Sequence, residues 1–155
     1  MSHSEIERIV DYTAAVAGRI EGIKATFGAG IGATEDPLRP GQPIAAAPGK
    51  PTAALTHWSD CPDAPPVQWV SQEGTVELTW TIPMRLWFAR ADLADVRRMS
   101  LPFYDRYIEA FVLDRTLGGL ALRTQVTRFN TGGDANWSWL DIGLMVVERV
   151  NYYAV

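Results

Sequence analysis

His57 and Cys61 are the first side chains to test for chemistry, because an imidazole and a thiol four residues apart can share a metal ion when a helix carries both. Pro62, Pro65 and Pro66 follow at once and argue against a helix there. A structural zinc site needs three or four Cys/His ligands, and the whole chain offers only His3, His57 and Cys61. For nucleophilic catalysis, His57 would need a serine in a strained elbow, and no Gly-x-Ser-x-Gly occurs. Glu73 with Glu77, or Asp134 with Asp141, are carboxylate pairs by composition only, since nothing in their spacing sets the separation that acid/base work requires. The run Gly28-Ala29-Gly30-Ile31-Gly32 follows a helical pattern instead of preceding one and lacks the lysine of a phosphate loop. The expectation is therefore a chain with no catalytic residue, no cofactor site and no metal site.

Elements must position whatever the chain does, and 155 residues suffice for one domain with a sizeable core. Hydrophobic residues at 47% and charged residues at 21% match ordinary globular usage, which argues against global disorder. The net charge of −4, with scattered basic residues, lacks the footprint of a phosphate-backbone binder, so direct nucleic-acid binding is not expected. No run approaches the ~18 apolar residues of a membrane span, and the start lacks the pattern of a secretory signal, so a cytoplasmic site of folding is expected.

Ser4-Glu5-Ile6-Glu7 has the form of a capping box, and Ile6, Ile9, Val10, Val16, Ala17, Ile20, Ile23 and Phe27 continue at helical spacing. This predicts one amphipathic helix of about six turns, closed by the Gly28 to Gly32 cluster. Residues 29–52 are rich in Pro, Gly and Ala and read as a long loop, either a contact arm or an insertion. Short strands are expected at 53–58 and 67–72. From Val76 to Phe88 every even position is apolar, a strict period of two that predicts a long strand with one buried face. Pro83 within it implies a sheet edge or a bulge. Asp92 is an N-cap for a second helix running to Asp114, with a kink or two abutting helices expected near Ser100 because of Pro102. The Thr116 to Gly119 turn leads to strands 120–129 and 137–150, read as a hairpin beside the long strand. The fold class is α+β: a mostly antiparallel sheet with two principal helices packed on one face.

The second face of this sheet holds the functional question. Trp87, Phe129, Met145 and Val147 fall on the parity opposite to the core positions, so strand patterning asks for cover there too. A partner chain is one candidate cover; residues 29–72 folding back are the other. Strand parity makes Glu77, Arg85 and Trp87 the candidate partner-interface residues. A small ligand-binding domain, with a pocket lined by Trp58, Trp69 and Trp137, is the alternative from another class. A basic patch assembled from Arg97, Arg98, Arg106, Arg123 and Arg128 would be needed for a nucleic-acid adaptor.

The order of elements resembles the phage tail-terminator and neck-protein family. The resemblance rests on the N-terminal helix, the strand Val76-Glu77-Leu78-Thr79-Trp80-Thr81-Ile82-Pro83-Met84-Arg85-Leu86-Trp87, and the Asp92-Leu93-Ala94-Asp95 helix start. The Asp114 to Gly119 turn and the closing Val146-Val147-Glu148-Arg149 strand complete it, over roughly residues 53–150. It implies a virion protein of the tail neck, made in a bacterial cytoplasm: a non-enzymatic hexameric ring that caps the tail tube and meets the head connector. A head- or tail-completion connector of the same neck shares that logic.

Overall fold

The computed structural model describes residues 3–23, 25–27, 56–60, 62–71, 73–89, 93–133 and 137–152. The Gly28 to Gly32 cluster, the 29–52 segment, Cys61, the Asp92 cap and Asp134 lie outside the described residues. Among those described, the order is α1 (Ile6–Gly18), β1 (Ala25–Phe27), β2 (Thr56–Ser59), β3 (Val67–Trp69), β4 (Thr75–Ala89), α2 (Leu93–Leu113), β5 (Arg123–Gly133) and β6 (Trp137–Asn151). The strands form one sheet in the order β1-β2-β4-β6-β5, with β3 pairing β4 further along the same edge as β2. Every pairing is antiparallel except β1 with β2. The fold is α+β.

Both helices lie on one face of this sheet. Ile82, Met84, Leu86 and Phe88 of β4 and Leu140, Ile142, Leu144 and Val146 of β6 project from that face and close a single core with Ile9, Val10, Val16 and Ala17 of α1 and Phe103, Tyr107 and Phe111 of α2. Each large aliphatic side chain buried this way contributes about 1.5–3 kcal/mol of transfer free energy. Period-two patterning identified these positions because a pleated strand sends alternate side chains to opposite sides.

Helix α1 ends at Gly18, well before the predicted Phe27. The amides of Arg19, Ile20 and Ile23 bond carbonyls three residues back instead of four, and Gly22 at φ 95° turns the chain. Ala25–Phe27 then pairs parallel with Thr56–Trp58. The expected capping box is also replaced. Ser4 Oγ accepts from the Ile6 amide at 3.3 Å and donates to Glu148 Oε1 at 2.7 Å, while Glu148 Oε2 accepts the Glu5 amide at 2.7 Å. Trp80 Nε1 donates to the same carboxylate at 3.2 Å. A strand residue, buried to 3% exposure, thus does the capping that Glu7 was expected to do.

Helix α2 runs unbroken through Pro102, with Ser100 Oγ donating to the Val96 carbonyl at 2.7 Å. Its C-terminal turn is held by Asp114, which accepts from the Gly118 amide, Tyr12 Oη and Arg19. Partial burial works against ionisation of Asp114, but these three donors together hold its carboxyl below the usual range. Gly118 sits at φ 66°, and a Cβ there would come within 2.9 Å of the Tyr12 ring.

Two register details correct the sequence reading. Strand β4 is neither an edge nor bulged: it is paired along both sides, and Pro83 stands where β2 hands over to β3. The Pro83 carbonyl accepts the Asp60 amide at 2.9 Å, and because proline has no N–H to return that bond, the β2 ladder ends at Ser59↔Met84 and β3 takes over only at Val67↔Leu78. In β5, one extra residue between Val126 and Arg128 makes a bulge opposite Gly143. Parity inverts there. Phe129, expected on the second face, consequently points to the helix side and packs on Tyr104 with ring centroids 4.8 Å apart.

Candidate partner-binding face

The side of the sheet away from the helices is built from the odd positions of β4 and β6, which meet pair by pair: Glu77↔Arg149, Thr79↔Val147, Thr81↔Met145, Pro83↔Gly143, Arg85↔Asp141 and Trp87↔Trp139. Three of these pairs contain the residues the sequence singled out. Arg149 Nη2 meets Glu77 Oε1 at 3.0 Å. Arg85 grips Asp141 through Nε to Oδ1 at 2.6 Å and Nη2 to Oδ2 at 3.1 Å. That bidentate pair is under a third exposed on each side, and at such a site it is worth about 1 kcal/mol.

Arg85 and Trp87 belong to one cluster. The Arg85 guanidinium stands 4.3 Å from the Trp139 ring centroid and 5.1 Å from that of Trp87, and the two indoles meet edge-on at 5.4 Å. Trp87 is fully buried, so it braces the cluster from within, while half-buried Trp139 and Arg85 present its surface. Trp58, opposite Arg85 on β2, borders it and is half-buried. Glu77 is not part of this cluster, because eight residues of strand at ~3.4 Å each place it about 27 Å from Arg85. Between the two ends, Arg128 lies across Gly143, where an added Cβ would come within 2.8 Å of Arg128 Cγ. A shallow cleft of about 470 Å³ opens there, with Thr79, Thr81 and Pro83 as floor and Asp60, Asp63 and Arg128 among its walls.

Parity pointed to Glu77, Arg85 and Trp87 but missed Asp141, Trp139 and Arg128. Their signal was the cross-strand register of β4 with β6, plus the bulge in β5, and neither is written in single-strand periodicity. The five arginines proposed as a basic patch are split. Arg98 pairs with Asp95 and Arg106 Nη1 donates to the Glu21 carbonyl on the helix layer, whereas Arg123 and Arg128 lie on the opposite face of the sheet.

His57 faces the core, not a cleft. Its Nδ1 is 2.7 Å from Tyr107 Oη and its Nε2 2.8 Å from Ser59 Oγ, while Thr13 Oγ1 is 2.9 Å from Ser59 Oγ and 2.6 Å from the Val10 carbonyl. One arrangement of protons satisfies all four contacts. Thr13 donates to the carbonyl, which can only accept; Ser59 donates to Thr13; Nε2–H donates to Ser59; and Tyr107 donates to Nδ1. His57 is therefore the neutral Nε2–H tautomer. Burial pushes its pKa down to about 3 and raises that of Tyr107. This relay ties β2 to both helices. Of the carboxylates weighed as acid/base candidates, Glu77 is taken by Arg149 and Asp141 by Arg85, and Asp134 lies outside the described residues. The side chains of Trp69 and Trp137, proposed to line a pocket with Trp58, lie outside the described part of the structure.

No protein-family model matches the chain, and a search of curated proteins returns no significant match.

Proposed function

We propose that the chain is a structural subunit of the neck of a phage-like tail, closing as a hexameric ring on the end of the tail tube, stopping its lengthening and meeting the head connector on its other side. The observation that carries this reading is the one-sided helix layer: both helices cover one face of the sheet, and the described residues of the other face form a cross-braced surface with Arg85, Trp139 and Asp141 at one end and Glu77 with Arg149 at the other. Rigid side chains locked by ion pairs and stacking suit a docking surface, since little conformational freedom is lost when a partner seats on them. The resemblance in element order to tail-terminator and neck proteins supplies the partner class. The mechanism is geometric. A subunit with unlike contact surfaces joins neighbours head to tail, closes at a fixed number, and presents one face to the last ring of the tube.

Negative-stain imaging of the purified protein mixed with tail tubes that lack a terminator tests this. Caps that halt tube lengthening are the expected result, and Arg85→Ala with Trp139→Ala should abolish them. Tubes that grow unchecked in the presence of excess folded protein overturn the reading.

A further inference from the structure

Strand β5 closes the sheet on the side away from β2, and among the described residues no strand pairs with its outer side. Alternate residues of an edge strand turn their N–H and C=O groups outward, so β5 carries a row of unused donors and acceptors along Arg123–Gly133. None of its eleven residues is fully buried. Even Val126 and Phe129, which pack against the core, are only half-buried.

Helix α2 leaves a strip of apolar surface beside this edge. Leu101, Ile108 and Val112 are 60%, 43% and 64% exposed, and spacings of seven and four residues put them within ~20° of one line along the helix. On one flank of α2, Arg106 reaches the Glu21 carbonyl just after α1; on the other, Tyr104 packs on Phe129 of β5. The strip lies further round than Tyr104 in the direction away from α1, so it overhangs the outer side of β5. Helix and strand run in opposite directions, and Thr124 Oγ1 donates to the Phe111 carbonyl at 3.3 Å near the Val112 end of the strip.

The backbone edge and the apolar strip each specify something about what covers them. The edge accepts extended chain ~4.8 Å beyond β5. The strip requires apolar side chains on the side of that chain facing α2. The other side of β5 presents Arg123, Gln125, Arg128 and Asn130, opposite the outward positions of β6. Arg128 leans over Gly143 and shares a cleft with Asp63, whereas Arg123 is exposed and makes no ion pair among the described residues. Carboxylates on an incoming strand would meet a cation at Arg123 and no acid along β5. We propose that the β5 edge is a strand-addition site, taking an extended segment of a partner protein that is apolar under α2 and acidic beside Arg123. The bulge between Val126 and Arg128 and the two arginines discourage indiscriminate pairing, so the segment must bring this matching chemistry. The site uses the rim of the sheet instead of the face assigned to the neck contact, and it stands without that reading.

NMR titration of the isotope-labelled full chain with the peptide acetyl-Thr-Val-Glu-Val-Thr-Val-Glu-Val-Thr-amide tests this. Saturable shifts are expected at the β5 amides and at the methyl groups of Leu101, Ile108 and Val112. The same peptide with lysine in place of glutamate should bind at least about fivefold more weakly, and Arg123→Glu should invert that order, which also demonstrates that the variant folds. Ile108→Glu should weaken the acidic peptide by a similar factor. No shifts at millimolar peptide, equal binding of the two peptides, or shifts confined to other elements each overturns the proposal. Amide exchange in the free chain is the second readout, and the outward amides of β5 should exchange much faster than those of the β4–β6 ladder. Strong protection there without peptide, or protection that rises with protein concentration, would mean that this chain covers its own edge, and overturns the proposal as well.

Discussion

Trp139 occupies the space a side chain would need at Gly132: a Cβ built on that glycine would stand 2.5 Å from the indole Nε1 and 2.9 Å from Cε2. The two residues are direct cross-strand partners of β6 and β5, and the ring that lies over Gly132 is the one Arg85 stacks on. Gly132→Ala is therefore expected to displace Trp139 and cost about 1–3 kcal/mol, the range for forcing atoms into filled space. Adding Trp139→Ala should make the second loss much less than additive, because the clash is then gone. Urea midpoints of the two single variants and the double variant decide it. An alanine at 132 with the native midpoint would mean that the indole has room to move.

The hydroxyl relay around His57 makes stability depend on pH in a defined direction. In the unfolded chain His57 titrates near 6.5, and in the folded protein near 3, so between those values the unfolded state holds one more proton. Stability from this group is complete above about pH 6.5 and falls as pH drops, by ~1.4 kcal/mol per pH unit, until the folded protein itself takes up the proton. Carboxylates add their own acid dependence, and His57→Gln removes only the imidazole's share. Denaturation of both proteins from pH 7 to pH 4.5 should show a steeper loss in the native protein. Parallel curves would sink the account.

Glu148 is expected to be a stability residue despite its charge. Ser4 Oγ, the Glu5 amide and Trp80 Nε1 all donate to it, so Glu148→Ala strands buried donors, and we expect a loss of about 3 kcal/mol. Glu148→Gln keeps the acceptor oxygen and should lose less. Hydrogen exchange in the first turns of α1, from Ile9 to Thr13, should accelerate in the alanine variant before the β4–β6 pairing is affected. Unchanged protection there would show that α1 does not depend on this cap.

Much of the fold was legible in the sequence where one physical rule acted alone. The alternation from Val76 to Phe88 marked the core face of β4 because burial on one side of a pleated strand leaves no other pattern. Asp114 to Gly119 was readable as a turn for the same reason of local sufficiency, with Gly118 in the left-handed region. Failures came where distant chain decided. Ile20 and Ile23 fit a continuing helix, yet pairing with β2 made a strand of Ala25–Phe27; both isoleucines still reach the core, so their spacing was a true burial signal with the wrong backbone behind it. Glu148 sat at a core-parity position between Val146 and Val150, which was the available hint that a carboxylate would be buried. Its partner Ser4 is 144 residues away, beyond any local pattern. Of the candidate face, Glu77, Arg85 and Trp87 were found by parity, while Asp141 and Trp139 needed the register.

The handover at Pro83 separates two alignments that a continuous edge strand would have coupled. β2 and β3 are each keyed to β4 on their own, and the connecting chain is pinned at its two ends, by the Asp60 amide on the Pro83 carbonyl and by the Thr79 amide on the Pro66 carbonyl. Length changes between those pins do not propagate: a residue added at Asp63 or Ala64 lengthens only the span, whereas one added inside a long strand would turn every following side chain to the wrong side. The 60–66 connection is thus a place where this chain can vary, or accept a grafted peptide, while the sheet on either side keeps its alignment.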